Sequence, residues 1–171
     1  DSIVIASGKL GKTYTNVEPR LSMNYRLNTS SSIKLGYARN TQSLHLLSNS
    51  TSGNPTDSWI GNSYNIKPEI ADQISIGLSK NLNDNKYEFN IEGYYKSMKN
   101  QIDFRDGVDI NTAPDIEKEL LYGIGRAYGI EFLVKKKSGK LTGWIGYTLS
   151  KTERKISGIN NNDWYNAKQD R

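Results

Sequence analysis

The sequence predicts an all-β chain: an antiparallel up-and-down meander of about six strands from a large transmembrane β-barrel, with short periplasmic turns and long extracellular loops. Two observations carry this expectation. Apolar and polar residues alternate in run after run, which is the periodicity of a strand with one apolar and one polar face. The connections between runs are short, then long, then short again. They sort in this way when only one end of each hairpin has to cross a membrane.

The runs follow in order. Leu21, Met23, Tyr25 and Leu27 alternate with Arg20, Ser22, Asn24 and Arg26, and the turn Asn28-Thr29-Ser30-Ser31 follows. Ile33, Leu35 and Tyr37 then alternate with Lys34, Gly36 and Ala38. After a long polar stretch, Ile74, Ile76 and Leu78 lead to the turn Asn81-Leu82-Asn83-Asp84-Asn85. Tyr87, Phe89, Ile91, Gly93 and Tyr95 oppose Glu88, Asn90, Glu92, Tyr94 and Lys96. Downstream, Tyr128, Ile130, Phe132 and Val134 precede the turn Lys137-Ser138-Gly139-Lys140, and Ile145, Tyr147 and Leu149 close the series. All three turns are rich in residues that reverse a chain tightly. The long polar stretches are 43–68, 105–120 and 154–171.

Composition sets further bounds. The 171 residues fit one domain, and no apolar run is long enough for a transmembrane helix, which excludes a helical membrane protein. Tyr14, Trp59, Tyr87, Tyr95, Tyr122 and Trp144 fall near strand ends, as aromatic girdles at two lipid interfaces would place them; tyrosine is also simply a good strand former. The short apolar run Ile3-Val4-Ile5-Ala6 is no signal peptide, and the chain is expected to be part of a larger or processed protein. Cysteine is absent, so there are neither disulfides nor thiolate metal sites. The net charge of +5 is densest at Lys135-Lys136-Lys137 with Lys140, which reads as a solvated hairpin tip. No nucleic-acid module accompanies it, so a nucleic-acid partner is not expected.

Candidate chemistry is sparse. His45, the only histidine, has no cysteine or second histidine nearby and reads as an ordinary loop residue rather than a metal ligand or a catalytic base. Gly123-Ile124-Gly125-Arg126-Ala127-Tyr128-Gly129 has the wrong spacing for a nucleotide loop and leads into a strand, so its small residues are expected where strands crowd. Asn160-Asn161-Asn162-Asp163 lacks the glycine and spacing of a calcium loop. Polar strand positions Arg20, Arg26, Lys34, Glu88, Glu92, Glu131 and Lys135 are expected to face a barrel lumen, and Arg126 is expected on the same wet side. Neither catalytic residues nor a cofactor or metal is expected, and the chain does not read as an enzyme.

Specific residues go further than the rhythm. Asn16-Val17-Glu18-Pro19-Arg20-Leu21-Ser22 resembles the strand opening of TonB-dependent outer-membrane receptors, particularly the Bacteroidetes type. The resemblance continues through residues 31–42 and 44–49, through Asn65-Ile66-Lys67-Pro68 with Ala71-Asp72-Gln73, and through Glu92-Gly93-Tyr94-Tyr95-Lys96. It extends over Asn100-Gln101-Ile102-Asp103, residues 125–131 and 143–150, and the closing 169–171. It covers most of the chain in the family's order.

This resemblance implies a barrel of about twenty-two strands, filled by a plug and opened by energy transmitted through TonB. Such receptors import scarce, bulky nutrients: iron chelates, haem, cobalamin or glycans. The chain would be a partial barrel domain over 1–171, without plug, TonB box or C-terminal strands, located in the outer membrane of a Gram-negative cell. Its expected partners are outer-membrane lipid, the plug and remaining barrel of the parent protein, TonB through that parent, and a small-molecule or glycan substrate. An isolated fragment, with open edges and an apolar outer face, is expected to self-associate. Trp59, Tyr64, Trp164 and Tyr165 are the loop aromatics expected to contact ligand. The rival reading is a soluble or surface-tethered β-sandwich binding module, with the apolar faces packed sheet on sheet.

Overall fold

The computed structural model describes residues 12–47, 58–104 and 116–167. The sequence positions 1–11, 48–57, 105–115 and 168–171, which include parts of all three long stretches and the closing motif, lie outside the described residues. Long strands dominate: β1 (Arg20–Asn28), β2 (Ser31–Gln42), β5 (Glu69–Leu82), β6 (Tyr87–Phe104), β7 (Leu120–Lys136) and β8 (Gly143–Ile156). With the two-residue β9 (Tyr165–Asn166) they form a seven-stranded antiparallel sheet in the order β1-β2-β5-β6-β7-β8-β9. A separate two-stranded sheet, β3 (Leu44–Leu47) with β4 (Ser58–Gly61), is set aside from this order.

Spatial order follows chain order, and three of the reversals are tight turns. Asn28 Oδ1 accepts hydrogen bonds from the Ser30 backbone N–H and hydroxyl, fixing the first turn. Asn83, Asp84 and Asn85 all take positive φ, a region asparagine and aspartate tolerate better than other side-chain-bearing residues, and Lys86 N–H closes that turn onto Asn83 O. These reversals and the β7–β8 turn lie at one end of the sheet. The stretches that join β2 to β5 and β6 to β7 lie at the other.

Register turns alternation into rows. Met23 stands beside Leu35, Leu35 beside Ile76, Ile76 beside Gly93, Gly93 beside Ile130, and Ile130 beside Leu149. The row nearer the short turns runs Tyr25, Ile33, Leu78, Ile91, Phe132, Tyr147. One face is therefore apolar across six strands, and it stays open: Ile76 is 60% and Leu149 55% exposed. A sandwich would bury this face, so the sheet-on-sheet rival is not what the structure presents. Along β5 the apolar positions are Ile74, Ile76 and Leu78, and the next outward position towards the turn is Lys80, beside Phe89.

The packed core is small and lies at the long-connection end. Ile66, Ile102 and Leu120 are buried together, with Ile60 and Phe104 against them. A bulge at Asn100 positions it. Register between β6 and β7 slips between Lys99 and Gln101, so Ile102 faces the same side as Tyr122. Asn100 holds φ at 57° and its side-chain amide donates to Pro68 O at 2.8 Å. Replacing Asn100 with valine should cost about 1–3 kcal/mol, because a β-branched residue resists this conformation. Glycine there should cost less, about 1 kcal/mol for the lost hydrogen bond. Urea titration of the detergent-refolded protein checks the order, and a valine variant as stable as the glycine one would contradict it.

Candidate functional site

The face opposite the apolar band carries the chain's polar chemistry. Arg20, Arg26, Lys34, Glu88, Glu92, Glu131 and Lys135 all lie on it, because each register pair shares a side. One row runs Asn24, Lys34, Gly77, Glu92, Glu131, Thr148; another joins Asn81, Glu88, Lys135 and Trp144. Glu88 is well held: Lys137 Nζ lies 2.6 Å from its carboxylate and Asn90 Nδ2 donates to it at 2.8 Å. Glu92 and Glu131 are different. They stand directly opposite one another on β6 and β7, an arrangement that destabilises a sheet, and neither has an ion-pair partner among the described residues. The Glu92 carboxylate lies over Gly77, in a depression of about 470 Å³ of mixed lining, with Lys34, Glu88, Glu131 and Thr148 beside Leu133 and Tyr147. A larger depression, about 910 Å³, lies on the apolar face among Met23, Leu35, Ile76, Tyr95 and Ile130. It belongs to that face and holds no polar constellation.

The loop aromatics do not converge. Trp59 sits on β4 and is 62% exposed. Tyr64 carries Lys12 Nζ over its ring at 4.8 Å, and its carbonyl accepts from the Tyr14 hydroxyl. Trp164 stacks beneath the Arg126 guanidinium at 4.1 Å, while the Tyr165 hydroxyl reaches Asp103 at 3.4 Å. These are separate packing roles, and no ring stacking links the four among the described residues. The stretches expected as long loops contain structure: β3 and β4 within 43–68, a 3-10 turn (Ile116–Glu119) within 105–120, and the end of β8 with β9 within 154–171.

Three expectations need correction. His45 is not an ordinary loop histidine: it lies on β3, only 1% exposed, with Nε2 3.0 Å from Asn62 Oδ1 and Nδ1 3.5 Å from Glu69. Gln101 donates to the same Glu69 at 2.9 Å, so this buried polar knot ties the β3–β4 hairpin to β5 and β6. Arg126 is not on the wet face. It shares the side of Tyr128, one step beyond the band, and pairs with Glu153 at 2.7 Å. Trp144, placed by its sequence position in an interfacial girdle, lies opposite Lys135 on the polar face.

The outward aromatic row instead joins Tyr37, Ile74, Tyr95 and Tyr128, with Tyr95 and Tyr128 stacked at 6.5 Å. Just beyond this row Arg39 holds Asp72 bidentately, at 2.7 and 3.0 Å, and Tyr37 donates to the same carboxylate. Ahead of β1, the Thr41 hydroxyl and backbone N–H donate to Glu18 and hold its carboxyl below the usual range, pinning the chain entry to β2.

An apolar face of constant height, an opposite polar face and connections sorted by length make this sheet a section of a transmembrane β-barrel wall. The chain belongs to the family described as TonB dependent receptor-like, beta-barrel, which matches residues 5–170. This is a family of outer-membrane receptors and transporters, not of enzymes. No curated protein and no solved structure matches the chain. No helix among the described residues is long and apolar enough to cross a membrane, which says nothing of strands.

Proposed function

We propose that this chain is part of the barrel of a receptor for TonB-energised uptake of a scarce, bulky nutrient, with plug, TonB-contacting segment and remaining strands supplied by the parent protein. The observation that carries this reading is the continuous apolar band, six strands wide, bounded on one side by tight turns. On this reading the polar face is the lumen wall, and the unpartnered Glu92 and Glu131 receive cationic side chains of the plug that fills it. The repulsion between the two carboxylates is then relieved only when the plug is seated. Trp59, Tyr64, Trp164 and Tyr165 stay candidates for ligand contact at the outer mouth. A substrate that is an iron chelate, haem, cobalamin or a glycan fits the reading equally.

The orientation is tested with single cysteines, since the chain has none of its own. In the full-length receptor, Ser157→Cys at the long-connection end should react with a membrane-impermeant maleimide on intact cells. Ser138→Cys in the β7–β8 turn should react only after the outer membrane is opened. The reverse pattern, or recovery of the receptor in the soluble fraction, would sink the proposal.

A further inference from the structure

The ring of His45 is closed to solvent, and both of its nitrogens face oxygen: Nε2 lies 3.0 Å from Asn62 Oδ1 and Nδ1 lies 3.5 Å from Glu69 Oε1. A neutral imidazole has a single N–H and can satisfy one of these acceptors, whereas the imidazolium donates to both. The carboxylate is steadied from its other side, since Gln101 Nε2 donates to Glu69 Oε2 at 2.9 Å. Among the described residues Glu69 is the charged group in contact with the ring. Ile60 stands opposite His45 on β4, while the 62–68 segment and β6 bring the uncharged Asn62 and Gln101 to the knot. Lys67 is exposed, Lys99 lies in the field of Asp72, and Asp103 accepts from Tyr165. The β3–β4 hairpin has little apolar backing. Ile60 packs against the small core, but Leu44, Leu46 and Trp59 on the other face are exposed. Across its base Asn62 N–H donates to Ser43 O.

We propose that His45 is a protonation-operated clasp: as an imidazolium bonded to Asn62 and to ionised Glu69 it docks the β3–β4 hairpin on the ends of β5 and β6, and loss of its proton frees the hairpin. The sign follows from the donors. Taking either ring proton away leaves a nitrogen lone pair facing an oxygen in a site closed to solvent, and a charge-assisted bond is lost with it. The hairpin is therefore held at mildly acidic pH and released as the pH rises through the range in which histidine gives up its charge, about 5 to 8. Acid strong enough to protonate Glu69 undoes the clasp from the other side. The clasp is independent of the membrane orientation proposed above.

Hydrogen–deuterium exchange of the full-length receptor in detergent reads the clasp. Amides of residues 44–47 and 58–61 are normalised at each pH to those of residues 87–95 on β6, so that the intrinsic pH dependence of exchange cancels. Between about pH 6 and about pH 8.5 the relative protection of the hairpin should fall at least about fivefold. In His45→Gln it should be low at both pH values. In Glu69→Gln the fall should shrink to less than about twofold, because the charged ring then has no carboxylate to lose. Protection of residues 87–95 in both variants reports that the sheet is folded. A flat response in the unaltered receptor would overturn the proposal, and would mean that the Asn62 amide is turned round to bond a neutral ring. A full response in Glu69→Gln would overturn it too, by assigning the pH dependence to another group.

Discussion

An arginine at Ile130 should cost the assembled barrel about 2–4 kcal/mol, a shift of about 30- to 1000-fold in the folded-to-unfolded ratio. Ile130 lies in the row between Gly93 and Leu149, with two further apolar rows towards the short turns and the tyrosine row on its other side. The charge cannot reach either interface without distorting the sheet. One residue along β7, Glu131 projects to the opposite face, beside Glu92. Glu131→Arg should therefore fold nearly normally, since it replaces a like-charge contact with an attractive one. Urea titration in lipid vesicles, read by heat-modifiable electrophoretic mobility, compares the two. Equal losses at both positions would mean that the apolar face does not meet lipid.

Gly129→Ala should destabilise the sheet by about 1–3 kcal/mol even though alanine is the better strand residue. A Cβ at this position would stand 2.7 Å from Leu149 O, 2.9 Å from Ser150 Cβ and 3.0 Å from the Tyr94 ring. The carbonyl belongs to the β7–β8 ladder and cannot swing aside, so the clash outweighs the gain in backbone entropy. Tyr94, the register partner of Gly129, uses the bare backbone as the surface on which its ring rests. Gly143→Ala, where nothing lies within 4 Å, should be neutral. The same titration separates them, and a neutral Gly129→Ala would show that β7 and β8 are more loosely apposed than described.

The strands were legible in the sequence because a half-buried strand writes its environment every second residue. Leu21 to Leu27 and Tyr128 to Val134 needed no tertiary information. The errors lie where the period breaks or where the environment changes along an unbroken strand. Alternation places Arg126 with Tyr128, while its charge argues for the wet side; the carboxylate that meets the charge on the outward side, Glu153, comes from β8 and reaches it only through the register. The Asn100 bulge reverses sidedness for Ile102 and Phe104, and a single asparagine with positive φ leaves no periodic trace. His45 was missed for a related reason. Its partners Asn62, Glu69 and Gln101 are distant in sequence and meet only because the β3–β4 hairpin folds back over the ends of β5 and β6. Glu92 and Glu131 were legible as polar positions, but their direct opposition needed the register.

The order β1-β2-β5-β6-β7-β8 has a kinetic meaning as well as an architectural one. Every long strand pairs with the long strand before it in the chain, so no pairing waits for a distant segment to arrive. Loop closure is shortest at the three tight turns, and each finished hairpin presents a template edge to the next. Such a wall can grow in one direction, hairpin after hairpin, with the unfinished edge always at its C-terminal side. The β3–β4 hairpin takes no part in this growth and can dock after the strands around it are in place. Its His45 knot would then be among the last contacts to form.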